Sequence, residues 1–120
     1  MRESYFRLQS GENKKQYGVI LREKAGELEE LTGFIELKRV GRTSIGTHYE
    51  ADLNTNGHGE PMYAGGKHEQ EIVGLTLTTK SQVEIHKQPK KPVTVSRIGM
   101  SEATKILEDI EYLRNVEAWL

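Results

Sequence analysis

Three polar residues alternate along one predicted strand, and their spacing is suited to binding a metal ion. His48, Glu50 and Asp52 lie two residues apart. Since successive side chains of a strand point to opposite faces, all three project from the same face. An imidazole and two carboxylates are ligands that zinc and other divalent ions accept. Together with His68 they would form the centre of a small metal-dependent enzyme. The alternative for the same spacing is the solvated face of a sheet.

A second set of residues is suited to binding an anion. Two consecutive glycines offer backbone amides, and the lysine and histidine that follow add positive charge, a combination that can hold a phosphate. The set is not a Walker P-loop, because that pattern runs into a helix and a strand is predicted here; a hairpin tip is the alternative. More basic residues downstream can face phosphates or keep an edge strand soluble. The predicted ligand-binding residues are Gly65, Gly66, Lys67, His68, Lys90, Lys91 and Arg97.

The loop that carries part of this set is long for a compact domain. Residues 54–67 contain four glycines and one proline without helical or strand periodicity. The oxygen side chains of Asp52, Asn54 and Asn56 are spaced as in a calcium-binding loop. However, Tyr63 stands where such a loop requires a bidentate glutamate, so an Asx- and Gly-rich turn is the simpler interpretation.

Composition excludes several classes of protein. The 120 residues contain no cysteine, which excludes disulfides, thiolate metal sites and a thiol nucleophile. A net charge of −1 argues against a dedicated nucleic-acid binder, although residues 43–79 are mainly acidic and residues 80–100 mainly basic. No serine lies in a Gly-x-Ser-x-Gly setting, so no hydrolase triad is predicted. The sequence lacks a stretch of about 20 apolar residues and a signal-peptide pattern, which predicts a cytoplasmic protein with no membrane segment.

Apolar alternation predicts a mainly antiparallel sheet of six or seven strands. The segment 22–31 can form either a helical turn or a hairpin at Ala25-Gly26, and the hairpin is favoured. Lys80-Ser81 predicts a tight hairpin between two of the later strands. The predicted strands cover residues 4–8, 17–21, 34–40, 45–53, 70–79, 82–87 and 93–98.

An amphipathic helix is predicted over residues 101–120. Ser101 is a suitable N-cap and Glu102 favours the positive end of the helix dipole. Trp119 can anchor a contact between subunits or pack on the sheet of its own chain. The apolar stripe that defines the helix consists of Ala103, Ile106, Leu107, Ile110, Leu113, Val116 and Leu120.

These patterns predict one α+β domain over residues 1–120, β-rich over 1–99, with the sheet packed by the C-terminal helix. The favoured function is a non-enzymatic binding protein that captures a small anionic ligand, such as a nucleotide, or inhibits a protein partner. A homo-oligomer and a bacterial or phage accessory role are expected with it. The metal-dependent enzyme is the alternative, and the residues indicate no particular cofactor.

Overall fold

The described residues form an α+β fold, which confirms the predicted class. In this computed structural model they comprise 2–10, 18–55, 58–61, 66 and 68–118. They contain eight strands and one helix, so the strand count exceeds the prediction slightly. The elements are β1 (Ser4–Ser10), β2 (Val19–Lys24), β3 (Glu27–Glu30), β4 (Lys38–Arg42), β5 (Gly46–Asp52), β6 (Ile72–Thr78), β7 (Val83–Lys87), β8 (Val93–Ile98) and α1 (Met100–Ala118).

The strands divide between two antiparallel sheets instead of forming one. The first sheet has the order β3-β2-β1-β8, and the second has the order β4-β5-β6-β7. The alternating apolar side chains of both sheets, among them Phe6, Leu21 and Leu75, meet in one buried cluster, so the sheets pack face to face as a sandwich. The backbone N–H of Leu28 donates to the hydroxyl of Tyr49 at 3.1 Å, which joins the two sheets directly.

Helix α1 covers the outer face of the first sheet. Ile20 is fully buried there against Ala103, Ile106 and Ile110. The helix begins at Met100, and the carbonyl of Gly99 accepts the first helical hydrogen bond from the N–H of Ala103 at 3.0 Å. The prediction of Ser101 as N-cap is therefore wrong by two residues, because the chain already turns after β8.

The predicted apolar stripe does not stay buried along the whole helix. Leu113 is 44% exposed and Val116 is 39% exposed, whereas the buried helical residues Ala103, Ile106 and Ile110 lie in the first half of α1. Trp119, and with it the predicted subunit contact, lies outside the described residues. Within the described part of the chain, α1 is too polar to qualify as a helix that crosses a membrane.

The predicted strand over residues 34–40 begins late, at Lys38. The carboxylate of Glu30 accepts hydrogen bonds from the backbone N–H groups of Thr32, Gly33 and Ile35, and these bonds hold the chain in a bend. Arg114 of α1 fixes the same bend by donating to the carbonyl of Thr32 at 2.6 Å. The bend and the bond from the N–H of Ile35 keep the start of the predicted strand out of the ladder, while the side chain of Ile35 still enters the core.

The two ends of the sandwich are built differently. At one end the short segments 25–26, 43–45 and 79–82 connect β2 to β3, β4 to β5 and β6 to β7. We call this the turn end. At the opposite end lie the connection 53–71 between β5 and β6 and the connection 88–92 between β7 and β8. We call this the loop end.

Candidate functional site

A cavity of about 290 Å³ opens between the two sheets at the turn end. Strands of both sheets contribute residues near their ends, and the turns 25–26 and 79–82 add backbone to its lining. Its walls therefore combine inner-face side chains with turn backbone. The lining residues are Glu23, Gly26, Arg42, Gly46, Thr47, Leu77, Thr78, Thr79 and Ser81.

Local backbone preferences place these turns. Ala25 and Gly26 both have positive φ, 55° and 78°, as a two-residue type I′ hairpin requires, which confirms the predicted hairpin over 22–31. Ser81 has a φ of 59°, and the N–H of Ser81 donates to the carbonyl of Thr78 at 3.0 Å, closing the predicted turn at Lys80-Ser81. Both turns beside the cavity are thus tight.

Glu23 is the charged residue at the base of this cavity. It follows Val19 and Leu21 on the inner face of β2, and only 7% of it is exposed. Its Oε1 atom lies 3.4 Å from both the N–H of Gly26 and the hydroxyl of Ser81, which is the outer limit of a hydrogen bond. Within the described residues, its Oε2 atom accepts no hydrogen bond, and no basic nitrogen lies within 4 Å of it. The side chain is therefore mostly buried, but Oε2 keeps access to solvent, and the two contacts of Oε1 are long.

Two arginines lie at the same end. Arg42 lines the cavity from the end of β4 with an exposed side chain. Arg97 is opposite Phe6 in the β1–β8 pairing, so it belongs to the inner face, and it donates to the hydroxyl of Ser4 at 3.1 Å. Ser4 is in turn opposite Glu23. Both arginines thus lie at the same end of the sandwich as Glu23, and neither forms an ion pair with it.

The predicted residue Asp52 holds the loop end together. Its Oδ1 accepts from the N–H of Asn54 at 2.9 Å and from the N–H of Glu71 at 3.1 Å, and its Oδ2 lies 3.0 Å from Nε2 of His68. Burial raises the pKa of this carboxyl, but the two amide hydrogen bonds and His68 outweigh burial and leave the pKa below its ordinary value. Asp52 therefore closes the base of the connection 53–71.

Replacing Asp52 with asparagine should lower the free energy of unfolding by about 1–2 kcal/mol at pH 7, since charge-assisted hydrogen bonds are lost. Because the folded pKa is depressed, the stabilisation is complete above the unfolded pKa and disappears as pH falls through the folded pKa. Urea denaturation from pH 3 to 7 checks this, with exposed Glu69→Gln as the control. A difference between wild type and Asp52→Asn that persists unchanged at pH 3 would contradict it.

The predicted anion-binding residues do not meet at one place. Gly65 and Lys67 lie outside the described residues, Gly66 is exposed, and His68 contacts Asp52. Lys90 and Lys91 are exposed at the loop end, where the N–H of Lys91 donates to the carboxylate of Glu71 at 3.2 Å. Arg97 is at the turn end. It lies roughly 20 Å from Lys91, because most of the six-residue strand β8 separates them. The structure thus separates the predicted basic residues: Lys90 and Lys91 at the loop end, Arg97 at the turn end.

The three predicted metal ligands share the outer face of β5 but have different partners. Nε2 of His48 lies 2.8 Å from the hydroxyl of Thr43, and Nδ1 lies 2.8 Å from the hydroxyl of Thr76. That hydroxyl is also 2.9 Å from Nδ1 of His86. In the ranges that the structure describes, no three His, Asp or Glu side chains are grouped so as to hold a metal ion.

The His48–Thr76–His86 row could not be read from the sequence alone. His48 and His86 belong to β5 and β7, with Thr76 of β6 between them, and their rings lie 5.3 Å apart in an edge-to-face arrangement. Since the threonine hydroxyl carries one proton, it donates to one imidazole and accepts from the other. The row is a hydrogen-bonded network on the outer face of the second sheet, with the buried Thr76 at its centre.

Comparisons with known proteins supply no assignment for this site: no family model, no curated protein and no solved structure matches the chain. Glu23 was missed in the sequence, although a signal was present, since a charged residue continues the apolar alternation of Val19 and Leu21.

Proposed function

We propose that this chain is a binding protein that captures a small ligand with an anionic group in the cavity at the turn end, without chemical conversion. The observation that carries the proposal is the carboxylate of Glu23, which lines this cavity, belongs to a residue that is only 7% exposed and forms no ion pair with a described residue. The described contacts of this side chain reach Oε1 only, and Oε2 keeps solvent access, so a donor on a ligand can bind it. A carboxylate forms charge-assisted hydrogen bonds with such donors.

The mouth of the cavity supports an anionic group on the same ligand. The guanidinium of Arg42 is exposed beside the cavity, and guanidinium binds carboxylate or phosphate in bidentate geometry. Thr47, Thr78 and Ser81 add hydroxyl groups along the wall. A cavity with a few convergent polar groups is the usual form of a small-molecule site.

Binding is proposed rather than catalysis because of the chemistry of the lining. The described lining residues offer hydroxyls, one carboxylate and one guanidinium, but no imidazole or amine adjacent to a hydroxyl. Activation of a serine or threonine nucleophile normally requires such a base. The cavity is equipped to hold a polar molecule.

The substitution Glu23→Gln tests the proposal. Ligand-induced stabilisation should disappear in a thermal-shift screen of nucleotides and other phosphorylated metabolites, because the buried acceptor is lost. In the absence of ligand the Tm of the variant should stay close to that of the wild type, since the two hydrogen bonds of the carboxylate are long and contribute little. The control is Glu27→Gln, which alters an exposed carboxylate at the start of β3.

Two results would contradict the proposal. One is a ligand-free Tm that falls by several degrees in Glu23→Gln, because it would assign the carboxylate to folding. The other is a screen in which no compound stabilises the wild-type protein.

A further inference from the structure

We infer that the cavity selects a ligand whose head group carries two adjacent N–H donors, bound by both carboxylate oxygens of Glu23, and whose tail is an anion held by Arg42. The inference rests on the proposed function and specifies its ligand. A guanine nucleotide and a guanidino acid share this chemistry.

The carboxylate of Glu23 has unused capacity to accept hydrogen bonds. A carboxylate offers about four lone-pair positions on its two oxygens. In the described residues both contacts of this side chain, from Gly26 and Ser81, are long and involve Oε1 only. Two parallel N–H groups would bond to the two oxygens together, which is the strongest arrangement a carboxylate can make. A single ammonium group cannot direct two parallel N–H bonds at the two carboxylate oxygens as well as a pair of adjacent N–H groups can.

The dimensions of the cavity give the orientation of the ligand. At about 290 Å³ it lies at the lower end of the range for small-molecule sites. The cavity has room for a planar head group, and the phosphate or carboxylate of the same ligand would then lie at the mouth. Glu23 and Arg42 line the same cavity and are more than 4 Å apart, since they form no ion pair. A ligand that enters head first would occupy the space between these opposite charges.

Isothermal titration calorimetry with matched compounds tests the head group. Guanosine monophosphate should bind at least tenfold more tightly than inosine monophosphate, which lacks the exocyclic amine, or arginine should bind at least tenfold more tightly than lysine. The pair of compounds that shows this difference identifies whether the two N–H donors belong to a guanine base or to a guanidinium group. Equal affinity within both pairs, or binding of inorganic phosphate as tight as that of the best compound, would overturn the inference.

Variants of the full chain assign the two contacts. Glu23→Gln should weaken the preferred compound at least tenfold, and exposed Glu27→Gln should not change its affinity. Arg42→Gln should weaken the anionic compound but not guanosine or agmatine, which lack the anion; Arg39→Gln on the same strand is the control. Binding that survives Glu23→Gln would overturn the inference while leaving the proposed function intact, whereas absence of binding by every compound would overturn the proposed function.

Discussion

Replacing Gly46 with alanine is expected to lower the free energy of unfolding by about 3 kcal/mol, one of the two largest effects predicted for this chain. A Cβ atom at this position would lie 2.0 Å from the carbonyl oxygen of Leu77 and 2.8 Å from its carbonyl carbon. Both atoms belong to backbone, so no rotation of a flexible side chain relieves the overlap. Gly46 is opposite Thr78, where the central strands β5 and β6 pair, and the strands must separate to accept the methyl group.

Urea denaturation measures this loss, and Gly41→Ala is the matched control. Gly41 lies on the neighbouring strand β4, and a Cβ atom there meets nothing within 4 Å. The control should change the free energy of unfolding by less than about 0.5 kcal/mol. Because Gly46 also lines the turn-end cavity, the destabilised variant should bind ligand more weakly too. Similar denaturation midpoints for the two variants would contradict the prediction.

Replacing Ile20 with alanine should cost about 2–4 kcal/mol, since it removes a fully buried side chain from beneath helix α1. Ala103, Ile106 and Ile110 are the helical residues that pack there, and they cannot collapse into the space without moving the helix. The expected result in circular dichroism is a lower midpoint for loss of the helical signal.

The matched control for this variant is Ile45→Ala, which removes the same atoms from a side chain that is 61% exposed. It should change the free energy of unfolding by less than about 0.5 kcal/mol. If both variants unfold at the same urea concentration, the packing of α1 on Ile20 contributes little to the free energy of unfolding, which would contradict the prediction.

Much of the fold follows from patterns that are local in sequence. Alternation predicts the strands β6, β7 and β8 nearly to their ends, and helical spacing predicts α1 within two residues at either end. Alternation also identifies which residues face the core, because the period of two is a property of a single strand. It does not identify which strands pair, since an apolar face fits one large sheet or two packed sheets equally well. The division into two sheets therefore had to come from the structure.

The candidate site was less accessible from the sequence than the fold. The predicted metal set places His68 with Asp52, and the structure does bring these two together, whereas the partner of His48, Thr76, belongs to no predicted site. Glu23 belongs to no motif. It is a candidate because it is buried at the turn end, and the position of that end depends on which strands pair. Spacing in the sequence shows which residues share a face of one strand, whereas the residues that line a cavity come from several strands.

The pairing of β1 with β8 has a consequence for how the chain folds. Tyr5 is opposite Ile98 and Ser10 is opposite Val93, so the first sheet closes only when distant parts of the chain meet. Loop-closure entropy opposes that step, and folding rates fall as contacts become less local. The hairpins β2–β3 and β6–β7 join neighbouring segments and are expected to form early. The β1–β8 ladder, on which α1 then docks, should set the refolding rate, and substitutions along it should slow refolding more than those in either hairpin.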